Sequence, residues 1–371
     1  MNLFGRGHIR LWLLLLLSLS ATAQNVSPGS SLTGYTEATY TIKDFHFRSG
    51  EVLPELHLFY VTIGTPLRDA SGQVRNAVLM MHGTGGDHRR FLQPSLLGSL
   101  YGPGQPLDLR KYYLILPDCL GHGKSSKPSD GLRAHFPRYG YEDMVLAEYR
   151  LVTESLGIRH LRLITGDSMG GMHAWLWGVR YPEMMDGLLP MGSYPVEIGG
   201  RNRLWRKIIM ETIRNDPEWK NGDYDKQPPS LALLESMEEL TETSPVLLQA
   251  KYPTREAMDA EHERYVREEL QDDDANDELY AFSASADYNP DPELEKIRAK
   301  LLAINFADDF INPPELHIYD HEMPRVKNGR FIIVPASDKT SGHSTYGHPE
   351  VWRDYLRDFL DSLGADTSSH Q

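Results

Sequence analysis

The chain has 371 residues, of which 40% are hydrophobic and 24% are charged, so it can form one large α/β domain or two small ones and is neither fibrous nor compositionally disordered. Its formal net charge of −14 argues against binding to nucleic acid or to an anionic membrane surface, because both favour basic proteins. A single cysteine, Cys119, excludes an intramolecular disulfide and a zinc site built from several thiolates. We expect neither a metal nor a cofactor.

The N-terminus has the features of a secretory signal peptide. Arg6 and Arg10 form a short basic start before an apolar run at residues 11–19, and residues 21–23 (Ala-Thr-Ala) offer an A-x-A cleavage site. The run is short for a membrane span. We therefore expect residues 1–23 to be removed and the mature protein to be secreted or periplasmic, with no membrane span.

Alternating strand-like and helix-like segments predict a mostly parallel sheet with helices on both faces. Two antiparallel strands are expected to precede it. The predicted strands are Tyr40–Phe45, Glu55–Ile63, Ala77–Met81, Tyr112–Leu116, Leu161–Thr165, Gly187–Met191, Lys300–Asn305 and Phe331–Val334. The predicted helices include Tyr141–Leu156, Met169–Arg180 and Pro349–Leu363.

Residues 196–295 interrupt this alternation. They are rich in charged residues, Trp and Met, with helical spacing and few β-branched runs, which predicts a helical lid inserted into the core. The predicted core then has two parts, residues 24–195 and 296–371. We interpret the acidic run from Glu268 to Asp277 as a solvated face or loop rather than a metal site.

The strongest catalytic motif is G-x-S-x-G at residues 166–170 (Gly-Asp-Ser-Met-Gly). It lies between a predicted strand and a predicted helix, as a nucleophile elbow requires, and this context distinguishes it from a chance glycine-rich turn. A serine hydroxyl needs a base, and the base needs an orienting acid. The motif therefore predicts Ser168 as nucleophile.

The acid and the base are expected after the nucleophile, in the order Ser, Asp, His. Asp308 and Asp309 follow a late strand and precede a Pro-containing turn, and we prefer Asp309 because similar turns place the acid four residues before the proline. His343 follows a Gly-containing loop after the last strand and is preferred as the base. His348, beside the final helix, is the rival.

The oxyanion hole needs two backbone N–H groups aimed at the developing negative charge. One is expected from Met169, the residue after the nucleophile. The other is expected from the turn at residues 82–87 (His-Gly-Thr-Gly-Gly-Asp), where glycines let the backbone approach a substrate, and Thr84 is our choice within it.

These and other stretches resemble the homoserine O-acetyltransferase family, a branch of the α/β-hydrolases, over most of residues 50 to 360. The resemblance implies an α/β-hydrolase core with a helical lid and a ping-pong reaction through an acyl-serine. The matching residues are Gly102-Pro103-Gly104, Leu107-Asp108, the strand and turn at 112–120, Phe136-Pro137, 166–172, Tyr181-Pro182-Glu183, Trp205-Arg206, Asp216-Pro217, Trp219, Asp309, Pro313-Pro314 and Gly342-His343.

Three departures from the family concern the substrate. The family has Asp after the catalytic His, linked to the amine of the amino-acid substrate, and Ser344 stands there. The family's arginine signature, which would bind the carboxylate of the substrate, is not evident in this sequence. Arg201, Arg203 and Arg206 are only candidates for that role. The family also uses acetyl-CoA, a cytoplasmic donor, whereas this chain carries an export signal.

From these departures we predict an exported serine hydrolase that acts on a small-molecule carboxylic ester, with water as acyl acceptor. The alternative is a homoserine O-acetyltransferase-like acyltransferase. A third hypothesis is a non-catalytic binding protein on a hydrolase scaffold, because fold alone does not imply chemistry. A monomer and a homodimer both remain open.

Overall fold

The computed structural model describes residues 34–364. The predicted signal peptide at residues 1–23 lies outside the described residues.

An eight-stranded sheet lies at the centre, with the strand order β1-β2-β4-β3-β5-β6-β7-β8. β1 pairs antiparallel with β2, and β2 with β4, while all other neighbours are parallel. The predicted fold class, a mostly parallel sheet preceded by antiparallel strands, is confirmed. The strands are β1 Tyr35–His46, β2 Val52–Ile63, β3 Ala77–Met81, β4 Tyr113–Pro117, β5 Leu161–Asp167, β6 Met185–Met191, β7 Lys300–Phe306 and β8 Gly329–Val334.

Several strands are longer than predicted. β1 starts at Tyr35 rather than Tyr40, because it pairs with β2 along almost its whole length, from Tyr35 opposite Ile63 to His46 opposite Val52. Backbone hydrogen bonds extend such a hairpin past the apolar segment that marks it in sequence. β5 continues through Asp167, directly up to the residue predicted as nucleophile.

Helices cover both faces of the sheet. Along β5, Ile164 belongs to the apolar core on one face and Leu163 to the core on the other, as the alternation of side chains in a strand requires. The helices are α1 Pro94–Leu96, α2 Tyr141–Arg150, α3 Met169–Arg180, α4 Gly200–Asn215, α5 Leu231–Glu242, α6 Pro245–Lys251, α7 Arg255–Glu269, α8 Ala275–Ala284, α9 Ile318–Glu322 and α10 Arg353–Ser362. The predicted helix at 141–156 consists of α2 and a following π-helical turn, Leu151–Ser155, and the predicted final helix begins with a short turn before α10.

Five helices, α4 to α8, lie between β6 and β7, in the segment 196–295 where the sequence predicts a helical lid. They have an apolar core of their own, which includes Trp205, Ile213, Leu231 and Phe282. Within residues 34–364, no helix has both the length and the hydropathy needed to cross a membrane.

Candidate active site

Ser168 occupies the sharp turn between β5 and α3, with φ 52° and ψ −113°. A non-glycine residue in such a conformation stores strain of roughly 1–3 kcal/mol, which the surrounding packing must hold. The flanking glycines permit that packing: a Cβ on Gly170 would lie 1.9 Å from the Met81 carbonyl oxygen, and one on Gly166 would lie 2.6 Å from the same atom. The two glycines thus let the elbow press against the end of β3.

The three side chains predicted as a triad form one hydrogen-bonded chain. Ser168 Oγ lies 2.9 Å from His343 Nε2, and His343 Nδ1 lies 2.8 Å from Asp309 Oδ2. The other carboxylate oxygen, Asp309 Oδ1, accepts the backbone N–H groups of Ile311 and Asn312, each at 2.8 Å. Both Asp309 and His343 are buried, so the orientation of the imidazole is fixed from the acid side.

The rival residues have other positions. Asp308 Oδ2 accepts hydrogen bonds from Thr340 Oγ1 at 2.8 Å and from the Gly342 backbone N–H at 3.3 Å, so this carboxylate orders the loop that carries the histidine. His348 is half-buried, and its Nδ1 lies 3.6 Å from the Glu350 carboxylate. Neither residue contacts the Ser168 hydroxyl in the described chain.

Charges around the imidazole favour its protonated form. Burial alone would lower the pKa of His343, but the Asp309 charge and hydrogen bond, with smaller contributions from Glu242 and Asp167, raise it above its ordinary value. An imidazolium formed during a reaction would therefore be stabilised in place.

The turn predicted to supply the second oxyanion donor packs directly on the nucleophile. A Cβ on Gly83 would lie 3.4 Å from the Ser168 Cβ. His82 holds this turn, because its Nε2 accepts the Cys119 backbone N–H at 3.0 Å and its Nδ1 donates to the Gly83 carbonyl at 2.8 Å. Thr84 follows Gly83 directly, and Met169 is the first residue of α3, so both chosen amides belong to segments beside Ser168.

Two groups near the site were not predicted from sequence. Glu242, the last residue of α5, accepts a hydrogen bond from Ser344 Oγ at 3.2 Å, so a lid carboxylate lies beside the residue that follows His343. Arg90 joins the elbow to the histidine loop, with Nε 3.3 Å from Asp167 Oδ2 and its guanidinium 4.1 Å from the centre of the Tyr346 ring. The Glu-rich sequence of α5 was the available signal for Glu242. No local sequence feature marks Arg90.

A cavity of about 750 Å³ opens between the Asp309 loop and the start of α4. It reaches Asp309 and is lined by apolar side chains such as Tyr194 and Phe310, but neither Ser168 nor His343 lines it. The cavity therefore contacts only the acid of the triad. The place of the reaction is given by the Ser168 hydroxyl and not by this cavity.

Residues 76–320 match the family described as having the alpha/beta hydrolase fold, and the chain belongs to that family. Its similarity to known proteins defines the branch more closely. It is 30% identical over 279 residues to a "probable acyltransferase" of Methanothermobacter thermautotrophicus, covering 75% of this chain and 84% of the relative. It is 27% identical over 361 residues to a homoserine O-acetyltransferase of Leptospira biflexa, covering 86% and 92%.

Among solved structures, homoserine O-acetyltransferase from Bacillus anthracis superposes with a TM-score of 0.76 at 20% identity, covering 89% of this chain and 98% of that one. This structural likeness shows the fold. The family model and the curated relatives identify the chain as a member of the homoserine O-acetyltransferase-like branch of the α/β-hydrolases, as its motifs indicated.

These relatives contradict the prediction that the protein is an ester hydrolase. The curated relatives are named as acyltransferases, including homoserine O-succinyltransferases, and support the alternative hypothesis. A solved acetylester hydrolase of Corynebacterium glutamicum superposes with a TM-score of 0.77, covering 88% and 96%, but its 19% identity shows the fold alone. The prediction of water as acyl acceptor rested partly on Ser344, which lacks the carboxylate that the family has after the catalytic His. In the structure the Glu242 carboxylate lies 3.2 Å from Ser344 Oγ.

Proposed function

We propose that this protein is an acyltransferase that moves a short acyl group from a thioester donor to the hydroxyl of a small acceptor of the homoserine type. The observation that carries the proposal is the chain of hydrogen bonds from Ser168 through His343 to Asp309, in a protein whose relatives are acyltransferases.

The first half-reaction acylates the serine. Ser168 Oγ attacks the thioester carbonyl carbon while His343 Nε2 takes its proton, and the backbone N–H groups of Met169 and Thr84 stabilise the oxyanion. When the carbon–sulfur bond breaks, the imidazolium returns the proton to the departing thiolate. Asp309 stays ionised and holds the imidazole throughout.

The second half-reaction repeats these steps with the acceptor. Its hydroxyl loses a proton to His343 Nε2 and attacks the acyl carbon, and the Ser168 oxygen leaves and regains the proton. Transfer must outrun hydrolysis by ~55 M water, which requires an acceptor held close to the acyl carbon. Glu242 is placed to attract an acceptor amine, because its carboxylate lies beside the residue that follows His343.

Product partitioning tests the proposal. Purified protein is supplied with acetyl-CoA and homoserine, and O-acetylhomoserine and free acetate are quantified together. We expect the ester to form faster than acetate, and Ser168→Ala to abolish both. If an active wild type releases acetate at the same rate with and without homoserine and forms no O-acetylhomoserine, acyl transfer to this class of acceptor is refuted.

Glu242→Gln gives a sharper comparison. It keeps the size of the side chain and removes the charge, so it should weaken the use of an amine-bearing acceptor more than that of butanol, an alcohol without an amine. Acylation of Ser168 should change little. Equal losses for both acceptors would remove Glu242 from acceptor binding.

Secretion or a periplasmic location, and a homodimer, remain separate proposals. Export through residues 1–23 predicts a mature N-terminus near residue 24, which N-terminal sequencing of the protein from its native host would detect. Analytical ultracentrifugation would separate a monomer from a dimer.

A further inference from the structure

The Arg90 side chain connects the three segments that carry the catalytic groups. Arg90 lies in the short 3₁₀ helix His88–Leu92, which directly follows the turn at residues 82–87 that is expected to supply an oxyanion donor. Its Nε lies 3.3 Å from Asp167 Oδ2, on the residue before the nucleophile. Its guanidinium lies 4.1 Å from the centre of the Tyr346 ring, in the histidine loop. One cation thus meets the turn, the elbow and the loop.

The ion pair with Asp167 is shielded from water. The Asp167 side chain is 3% exposed and the Arg90 side chain is 22% exposed. Burial raises the pKa of Asp167, and the Arg90 charge is the largest of the causes that oppose this. A Cβ on Gly83 would lie 3.3 Å from Asp167 Oδ2, so the same carboxylate also borders the oxyanion turn. Separating such a buried pair would leave an uncompensated charge, so the two side chains are held together.

The contact with Tyr346 connects Arg90 to the catalytic base. Tyr346 and His343 share the loop Gly342–Gly347, and their rings meet edge to face, with 5.5 Å between centres and 89° between planes. A Cβ on Gly347 would lie 3.3 Å from Arg90 Nη2, so the guanidinium also lies against the backbone of this loop. A guanidinium over an aromatic ring is attracted to it, more strongly where water is excluded. Arg90 therefore opposes movement of the loop away from the elbow.

The reaction depends on the distance that this arrangement controls. His343 Nε2 must stay close to Ser168 Oγ, now at 2.9 Å, through acylation and transfer, although the two residues are 175 positions apart in the chain. Asp309 fixes the imidazole only from the Nδ1 side. A displacement of about 1 Å between reacting groups can lower a rate by roughly 100-fold. A direct connection between the two segments therefore acts on the rate.

We propose that Arg90 is a positioning residue, which keeps the Ser168 hydroxyl and the His343 imidazole at reacting distance. It does so by joining Asp167 of the elbow to Tyr346 of the histidine loop, and it transfers no proton itself. The proposal rests on Ser168 as the nucleophile, as the proposed function does, but it does not depend on which acceptor takes the acyl group.

Labelling of Ser168 by a fluorophosphonate tests the proposal, because it requires a reactive serine and base but no acyl transfer. We expect Arg90→Met to lower the second-order rate constant of labelling by about tenfold to a hundredfold. Single-turnover thiol release from acetyl-CoA should slow by a similar factor at saturating donor, with the half-saturating concentration within about threefold of the wild type. A loss confined to the half-saturating concentration would overturn the proposal, because it would assign Arg90 to donor binding.

Two further variants control for charge and location. Arg90→Lys keeps a cation but not the planar guanidinium, so it should recover part of the labelling rate. Arg89→Met is the matched control, since Arg89 is in the same 3₁₀ helix, has a side chain that is 70% exposed, and pairs with Asp87 instead of Asp167. Arg89→Met should label within about twofold of the wild type, because exposed ion pairs contribute little. Equal losses in Arg89→Met and Arg90→Met would contradict a role specific to Arg90.

A double variant separates positioning from simple neutralisation of Asp167. Arg90→Met leaves the Asp167 carboxylate buried without its cation, which by itself destabilises the protein. Adding Asp167→Asn removes that charge, so the unfolding midpoint should recover while labelling stays slow, because the elbow is still not joined to the loop. Recovery of the wild-type labelling rate in the double variant would overturn the proposal, since Arg90 would then only neutralise a charge.

The loop side of the connection has its own test, which does not require Arg90→Met to fold. Tyr346→Phe keeps the ring and should label faster than Tyr346→Leu, which removes it. Combining Tyr346→Leu with Arg90→Met should slow labelling no further than Arg90→Met alone, because both changes break one connection. Equal labelling of the two Tyr346 variants, or independent losses in the combination, would contradict the path through the ring.

These labelling rates separate the proposal from the proposed function. If the wild type labels rapidly but transfers no acyl group, the proposed function fails and the role of Arg90 is still decided by the variants. If Arg90→Met labels within about threefold of a wild type that does acylate homoserine, the positioning role is overturned and the proposed function stands.

Discussion

Replacing Asp309 by Asn should disable catalysis by reversing the proton arrangement on His343. Asp309 Oδ1 accepts two backbone N–H groups, from Ile311 and Asn312, so an asparagine oxygen must occupy that position. The asparagine NH₂ group then takes the Oδ2 position, 2.8 Å from His343 Nδ1. Two donors cannot face each other, so Nδ1 must give up its hydrogen and Nε2 must carry it. Nε2 can then no longer accept the Ser168 proton.

The expected loss is large and specific. The same tautomer reversal in serine proteases lowers kcat about 10⁴-fold, and we expect a loss of about 10³- to 10⁴-fold here, equivalent to about 4–5.5 kcal/mol in the activation barrier. Thiol release from acetyl-CoA in a single turnover measures Ser168 acylation directly. Asp308→Asn is the matched control, because its amide oxygen can still accept from Thr340, and it should retain activity within about tenfold of the wild type.

Two outcomes would refute this reasoning. Asp309→Asn acylation within tenfold of the wild-type rate would mean that the acid does not set the tautomer. An equal loss in both variants, with both proteins folded by near-ultraviolet circular dichroism, would mean that the loop conformation and not the acid controls the rate.

Other predictions concern the elbow and the pH profile. Gly170→Ala would place a Cβ 1.9 Å from a backbone oxygen and should lower the free energy of unfolding, measured in urea, by at least about 3 kcal/mol. In the control variant Gly98→Ala the new Cβ meets nothing within 4 Å, so this variant should be neutral or slightly stabilised. Similar free energies of unfolding for the two variants would contradict the close approach of the elbow to β3. Because the neutral imidazole is the base and the pKa of His343 is raised, the acid limb of kcat/KM for acylation should lie above about pH 6.5. Glu242→Gln removes one charge that raises the pKa of His343, so the acid limb of the pH profile should shift to lower pH. An acid limb at the same or a higher pH would mean that the Glu242 charge does not act on His343.

Local sequence predicted the parts of the site that local geometry controls. The elbow was predictable because its glycines and its position between an apolar strand and an apolar helix are contiguous in the chain. Asp309 was preferred over Asp308 from its offset to a proline, and the structure gives the two carboxylates different hydrogen-bond partners.

Contacts between distant segments were not predictable in this way. Ser344 and Glu242 are 102 residues apart, and helical periodicity does not tell which of the glutamates of α5 faces the core. The prediction of water as acceptor used only the residue that follows His343 in sequence and could not include a carboxylate from a distant helix.

The central claim is that Ser168 becomes transiently acylated and then passes the acyl group to a hydroxyl. Rapid quench of the protein with acetyl-CoA, followed by intact and peptide mass spectrometry, should find one acetyl group on the peptide that contains Ser168, and a homoserine chase should remove it faster than buffer alone. No acetylated protein in the wild type, or an acetyl group that remains equally in Ser168→Ala, would contradict the account.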